Sequence, residues 1–150
     1  MRMLIQRVTR AQVQVAGETI AAIGPGLLVL IGIGRDDTED DGAWLAGKLL
    51  RLRIFPDAAG LMNRSVVDHG GGILVVSQFT LWAGTASGNR PSFTAAARPE
   101  LAVPLYERFL AHVAQKHGQV PQSGRFGADM QVELVNDGPV TIWMDSRRRE

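Results

Sequence analysis

The run Leu27-Leu28-Val29-Leu30-Ile31 is apolar at every successive position, so a strand there has two faces to bury and reads as a central one, ending at Gly32-Ile33-Gly34. Before it, Met3 to Val15 alternates loosely and is rich in Ile, Val, Gln and Thr. This predicts a strand pair or a single bent strand interrupted near Arg10-Ala11, followed by a turn at Gly24-Pro25-Gly26. Leu45, Leu49 and Leu52 share one helical face, Thr38 and Asp41 form a capping box, and Lys48, Arg51 and Arg53 fall at the far end. A helix from about Glu39 to Phe55, stopped by Pro56, is the prediction. Asp57 to Gly60 reads as a turn, and Asp68-His69-Gly70-Gly71-Gly72 as a glycine-rich loop.

The next strand, Ile73 to Trp82, begins apolar and becomes mixed. Period-two geometry puts Val76, Gln78, Thr80 and Trp82 on one face and Val75, Ser77, Phe79 and Leu81 on the other. A second helix starts between Pro99 and Pro104 and runs to His117, with Leu105, Phe109 and Val113 inward and Gly118 as its stop. Met130 to Val135 and Val140 to Met144 read as two strands joined by Asn136-Asp137-Gly138-Pro139. About six strands and two helices that do not alternate argue for an α+β fold: a mixed or antiparallel sheet rolled toward a barrel, with the two helices flanking it.

The 150 residues are 45% apolar, enough for one compact domain over 1–150. Without cysteine the chain has neither disulfides nor thiolate metal sites. Met3-Leu4-Ile5 is broken by Gln6 and Arg7, too early for a signal-peptide core or a membrane span, so the expectation is a cytoplasmic protein with no membrane partner. A formal net charge of +1 lacks the basic excess of a protein that grips nucleic acid along its backbone. An RNA partner is therefore expected to be held locally, by one end in a pocket, and no DNA partner is expected. Arg147-Arg148-Arg149 reads either as a source of phosphate contacts or as a frayed solubilising terminus.

Familiar catalytic signatures are missing: no G-x-S-x-G elbow, no H-E-x-x-H and no Walker loop. His69, His112 and His117 are scattered, so neither a metal site nor a triad base is expected. Ser77 and Thr80 carry hydroxyls without a neighbouring base. Ser77-Gln78-Phe79-Thr80 reads either as a strand end whose hydroxyls satisfy the backbone, or as a site in which N–H groups beyond the last ladder bond receive an oxyanion. Gly138-Pro139 is either a plain turn or a cis peptide whose two carbonyls point together at an ammonium group. In Gly88-Asn89-Arg90-Pro91-Ser92-Phe93, Arg90 can hold a phosphate and Phe93 can stack on a base, or the segment is a surface loop. Gly124-Arg125-Phe126-Gly127-Ala128-Asp129-Met130 alone reads as core with a turn.

Taken in order and at these intervals, the four strings resemble the D-aminoacyl-tRNA deacylase family. Leu4-Ile5-Gln6-Arg7-Val8, Gly26-Leu27-Leu28-Val29 and Arg53-Ile54-Phe55 extend the likeness over nearly the whole chain. The resemblance implies a barrel-like α+β homodimer, with its active site at the subunit interface, that hydrolyses D-aminoacyl-tRNA for translation quality control and needs no cofactor. It implies that Ser77, Gln78, Phe79 and Thr80 line the pocket for the terminal adenosine and the ester. Phe126, Ala128 and Met130 would help wall the adenosine, and Arg7 would brace the Gly-Pro turn. Gly138 and Pro139, in cis, would enter the partner's pocket and take the α-amino group. Glycyl-tRNA would be a second substrate, and the 2′-hydroxyl of the terminal ribose would assist the reaction. Two other readings of the residues stay open: a non-catalytic binder of RNA 3′ ends and an esterase with a Ser or Thr nucleophile.

Overall fold

The spine of the protein is β1 (Arg2–Val15), a single 14-residue strand in the computed structural model, which describes residues 1–149. One edge of β1 pairs antiparallel first with β3 (Gly26–Gly32) and then with β2 (Glu18–Ile23). Along its other edge runs β8 (Gln131–Asp145), also antiparallel. β3 continues the sheet through parallel pairing with β6 (Gly72–Ser77), and β6 with the short β7 (Gln122–Ser123). The order β2-β1-β3-β6-β7, with β8 on β1, makes a mixed, nearly closed, barrel-like sheet. β4 (Phe55–Pro56) and β5 (Met62–Arg64) form a separate two-stranded ribbon.

Both faces of β3 are covered, as its unbroken apolar run predicts. Leu27, Val29 and Ile31 join Ile73 and Val75 in a core beneath the helices, where Leu45, Leu49, Phe109 and Val113 meet them. On the opposite face Leu28 packs with Leu74, Val76, Val8 and Val13. The two helices of that core are α1 (Glu39–Arg51) and α3 (Pro99–His117), and the chain forms one α+β domain. No helix among the described residues is long and apolar enough to cross a membrane.

Several expectations are corrected. Among the described residues there are three α-helices, since Val66–His69 forms a one-turn α2 where a glycine-rich loop was expected. Ser65 caps it through its hydroxyl and Asp68 returns the bond, while Gly70 closes it in the left-handed conformation at φ +72. α1 stops at Arg51 and not at Phe55, because the backbone becomes extended at Leu52 and Phe55, its side chain buried in the core, pairs with Arg64 in the β4–β5 ribbon. β1 is unbroken at Arg10-Ala11 and absorbs its irregularity as register shifts against β8. The tail is also not frayed: Arg147 lies 3.4 Å from the Asp37 carboxylate, and Arg149 donates to the Ser146 carbonyl at 2.9 Å and sits over the Trp44 ring.

Two further corrections bear directly on the site. The strand expected to run to Trp82 ends at Ser77, and Phe79–Trp82 form a 3-10 turn. The two strands expected on either side of Gly138-Pro139 are one strand, both halves of which pair with β1 in the same direction. Gln6 faces Thr141 and Val8 faces Asn136, so residues 137–140 leave the ladder opposite Arg7 alone. The segment is a loop thrown out of a continuous strand, a wide form of β-bulge, and not a hairpin.

Close approach of β3 and β6 depends on glycine. A Cβ built on Gly26 would fall on the Gly72 carbonyl oxygen and within 2.7 Å of its nitrogen, whereas one on Gly24 meets nothing within 4 Å. Gly26→Ala is expected to lower unfolding free energy by about 1–3 kcal/mol, and Gly24→Ala to change it by less than about 0.5 kcal/mol. Urea titrations of the two variants check this; equal midpoints would refute it.

Candidate active site

Beyond Ser77 the chain folds back over the end of β3, and the two glycines there make room for it. A Cβ on Gly32 would stand 2.7 Å from the Gln78 carbonyl oxygen, and one on Gly34 2.5 Å from the Trp82 ring. The reversal is tied down from β1. Arg2 donates to the Leu81 carbonyl at 2.9 Å, lies 4.0 Å above the Trp82 ring, and is anchored 3.1 Å from Asp145. Gly34 is held in turn, its N–H donating at 2.6 Å to the buried Asp37 carboxylate, which also pairs with the α-amino group of Met1 at 2.7 Å.

This reversal leaves main-chain donors free. The Gln78 N–H reaches the Ile31 carbonyl at 2.7 Å, and the first bond of the 3-10 turn runs from the Leu81 N–H to the Gln78 carbonyl. Among the described residues the N–H groups of Phe79 and Thr80 therefore have no backbone acceptor, as expected for the first donors of a helical turn. The Gln78 side-chain amide donates to the Thr80 hydroxyl, so these two side chains meet although they do not share a strand face.

Ser77, Gln78 and Phe79 line a cavity of about 670 Å³, and Phe126, Ala128 and Met130 form another part of its wall. A volume of this order suits a nucleoside-sized ligand. Tyr106 stands behind it: its ring lies 5.9 Å from that of Phe126, and its hydroxyl donates to the Val75 carbonyl at 3.0 Å. Burial pushes the Tyr106 phenol up to about 12, so it stays a neutral structural donor. The titratable side chains on the cavity wall are Arg98 and Asp129; histidine is not among them. His69 stacks on Phe55 at 4.5 Å, and His112 faces Glu39.

Thr80, Arg7, Gly138 and Pro139 do not line this cavity. The last three come together elsewhere, at the β8 loop. The Arg7 guanidinium donates to the Asp137 carbonyl at 3.2 Å, lies 3.1 Å from the Asp137 carboxylate, and reaches the Ile54 carbonyl. The Asn136 amide donates to the carbonyls of Arg7 and Val140, each at 3.0 Å, closing the neck of the loop. Gly138 has φ +124, where a side chain is strained, and a Cβ there would stand 2.9 Å from Arg7. The Gly138-Pro139 peptide is cis, and both residues are exposed.

Sequence reasoning did not assign roles to Asn136, Arg2, Gly32, Gly34 or Tyr106. The pair Gly32 and Gly34, two residues apart at a strand end, was a usable signal for close approach. Asn136 and Arg2 gave no local signal, because their partners lie far along the chain. Phe93 does reach the cavity, edge-on to Phe79 with ring centroids 5.0 Å apart, whereas Arg90 is exposed and away from it.

Comparison with known proteins gives a consistent result. The profile of the family described as D-Tyr-tRNA(Tyr) deacylase matches residues 4–145. A protein of Akkermansia muciniphila named D-aminoacyl-tRNA deacylase is 59% identical over 150 residues, covering 100% of both chains. A solved structure described as a c-Myc DNA unwinding element binding protein superposes with a TM-score of 0.92 at 44% identity, covering 97% of this chain and 98% of that one. A second, of a probable eukaryotic D-amino acid tRNA deacylase, gives a TM-score of 0.80 over 95% of this chain and 97% of that one. At 21% identity the second speaks for the fold alone.

Asn136→Ala removes the donor that closes the loop neck and leaves two carbonyls unpaired. It is expected to cost about 1–3 kcal/mol of stability and to speed amide hydrogen exchange at residues 137, 138 and 140. Exchange unchanged from wild type would show that the loop is held by something else.

Proposed function

The chain belongs to the D-Tyr-tRNA(Tyr) deacylase family and is a D-aminoacyl-tRNA deacylase, and on that footing we propose how its residues cut the ester and reject the L-enantiomer. The terminal adenosine of the tRNA occupies the cavity, against Phe126, Ala128 and Met130, with the ester carbonyl at the Ser77–Thr80 end. The N–H groups of Phe79 and Thr80 receive the oxyanion as the carbonyl becomes tetrahedral. That pair of free main-chain donors, at the edge of a cavity without histidine, is the observation that carries the reading. A wall without an imidazole also supports assistance by the substrate. The 2′-hydroxyl of the terminal ribose helps activate the attacking water, the protein supplies orientation, and Thr80 positions more than it attacks.

Handedness is read by exclusion. The Gly138 and Pro139 carbonyls, on a loop braced by Arg7 and Asn136, take the α-amino group in the pocket of a second subunit, which makes the active form a homodimer. Their exposure, and their absence from the cavity of their own chain, support this placement. With amino group and ester carbonyl both fixed, a D-side chain points outward and an L-side chain runs into the main chain. A conflict of about 5–6 kcal/mol gives roughly 10⁴-fold rejection. Glycyl-tRNA has no side chain to reject and is a substrate. The role that fits is cytoplasmic proofreading of charged tRNA.

Ester loss from D-Tyr-tRNA and L-Tyr-tRNA, followed in parallel, tests this: the D-ester falls and the L-ester persists, and a protein that only binds RNA ends would leave both intact. Thr80→Ala is expected to keep kcat/KM within about tenfold of wild type, while a substrate ending in 2′-deoxyadenosine is not cleaved. Rapid turnover of the deoxy substrate, an acyl adduct trapped on Ser77 or Thr80, or loss of activity in Asp129→Asn would each give the chemistry to the protein instead.

A further inference from the structure

Next to the first cavity lies a second, of about 600 Å³, lined by Arg35, Phe93, Thr94, Ala96, Arg98 and Leu101. Phe93, Ala96 and Arg98 border both, so the two adjoin across these residues. The junction is firmly built. The Arg35 N–H donates to the Ala95 carbonyl at 3.1 Å, and the Ala97 N–H to the Ile33 carbonyl at 2.9 Å. Those bonds lay the segment after β3 beside the segment before α3 and bring Arg35 and Arg98 to one opening.

Unlike Arg2, Arg7, Arg108 and Arg147, which are paired with carboxylates, Arg35 and Arg98 have neither an ion-pair nor a side-chain hydrogen-bond partner among the described residues. Both are exposed. In a chain of net charge +1, two uncompensated guanidinium groups at one cavity are a local positive field. The start of α3 adds little: Pro99 has no N–H, and the N–H groups of Leu101 and Ala102 are already bonded to the Arg98 carbonyl. The guanidinium forks are the anion-binding groups, and their planar donor geometry suits phosphate oxygens.

We propose that this second cavity, between Arg35 and Arg98, seats the phosphodiester backbone immediately 5′ of the terminal adenosine. It is a subsite for the single-stranded 3′ end of tRNA. The inference rests on the first cavity's holding that adenosine. A strand that leaves the first cavity over Arg98 enters the second, and Phe93, which borders both cavities and is 37% exposed, offers its ring to the preceding base. The contacts are to backbone and are therefore indifferent to tRNA identity.

The test compares D-Tyr-tRNA with the D-tyrosyl ester of adenosine, which carries no phosphate, for wild type, Arg35→Gln and Arg35→Lys. Arg35→Gln is expected to raise KM for D-Tyr-tRNA about tenfold with kcat within about twofold, and to leave KM for the adenosine ester unmoved. Arg35→Lys recovers part of the loss. The slope of log(1/KM) for D-Tyr-tRNA against log salt falls by about 0.7 for the lost contact. Equal effects on both substrates, no effect on either, or an unchanged salt slope would overturn the subsite. Wild-type protein that cleaves neither ester would instead refute the deacylase reading, and the subsite with it.

Discussion

One residue of β1 stands opposite four of β8, and the proposed reading of handedness depends on how that mismatch is held. The ladder resumes on both sides, at Gln6 with Thr141 and at Val8 with Asn136, the latter followed by a second register shift before Arg10, so both ends of the loop are tied to β1. Arg7 fills the gap, and its guanidinium and carbonyl satisfy polar groups of the loop that would otherwise be orphaned. What projects is a short piece of main chain held at its neck by Asn136 and along its side by Arg7. Carbonyls fixed in this way can discriminate by shape where a flexible side chain would yield.

The end of β6 uses main-chain groups differently. Gly32 and Gly34 let the chain turn back directly after Ser77, and the turn leaves N–H groups free where a longer strand would have paired them. Both segments hang from β1, through Arg2 at one and Arg7 at the other. The proposed division, with donors on one element, acceptors on another and the chemistry assigned to a hydroxyl of the substrate, fits a wall on which Arg98 and Asp129 are the titratable groups. The proposed occupants of the paired cavities extend the same account, with a base in the largely apolar first cavity and the backbone at the two guanidinium groups of the second.

Much of this was legible in the residues. The doubly buried β3, the capping box of α1 and the full course of α3 follow from apolar period and end signals. The strings that line the first cavity were singled out by the family resemblance, since period and end signals alone left Ser77–Thr80 open and read Gly124–Met130 as core with a turn. Ser65 and Asp68 did spell a capping box, but α2 is one turn long and has no apolar period to support it. The strand was extended to Trp82 because alternation cannot report a turn whose cause, two glycines, lies more than forty residues earlier. The Gly138-Pro139 loop looked like a hairpin because turn residues are the same whether the chain reverses or only steps out of line. Register against β1 decided it, and register is a property of two segments.

The central claim is that the clamped main chain of the 137–140 loop reads handedness. The most direct measurement is the ratio of kcat/KM for D-Tyr-tRNA to that for L-Tyr-tRNA in Asn136→Ala, set against wild type. Loosening the neck should narrow the ratio by about tenfold or more, as L-ester begins to be cleaved. A ratio equal to that of wild type, in a protein whose loop exchanges faster, would contradict the account.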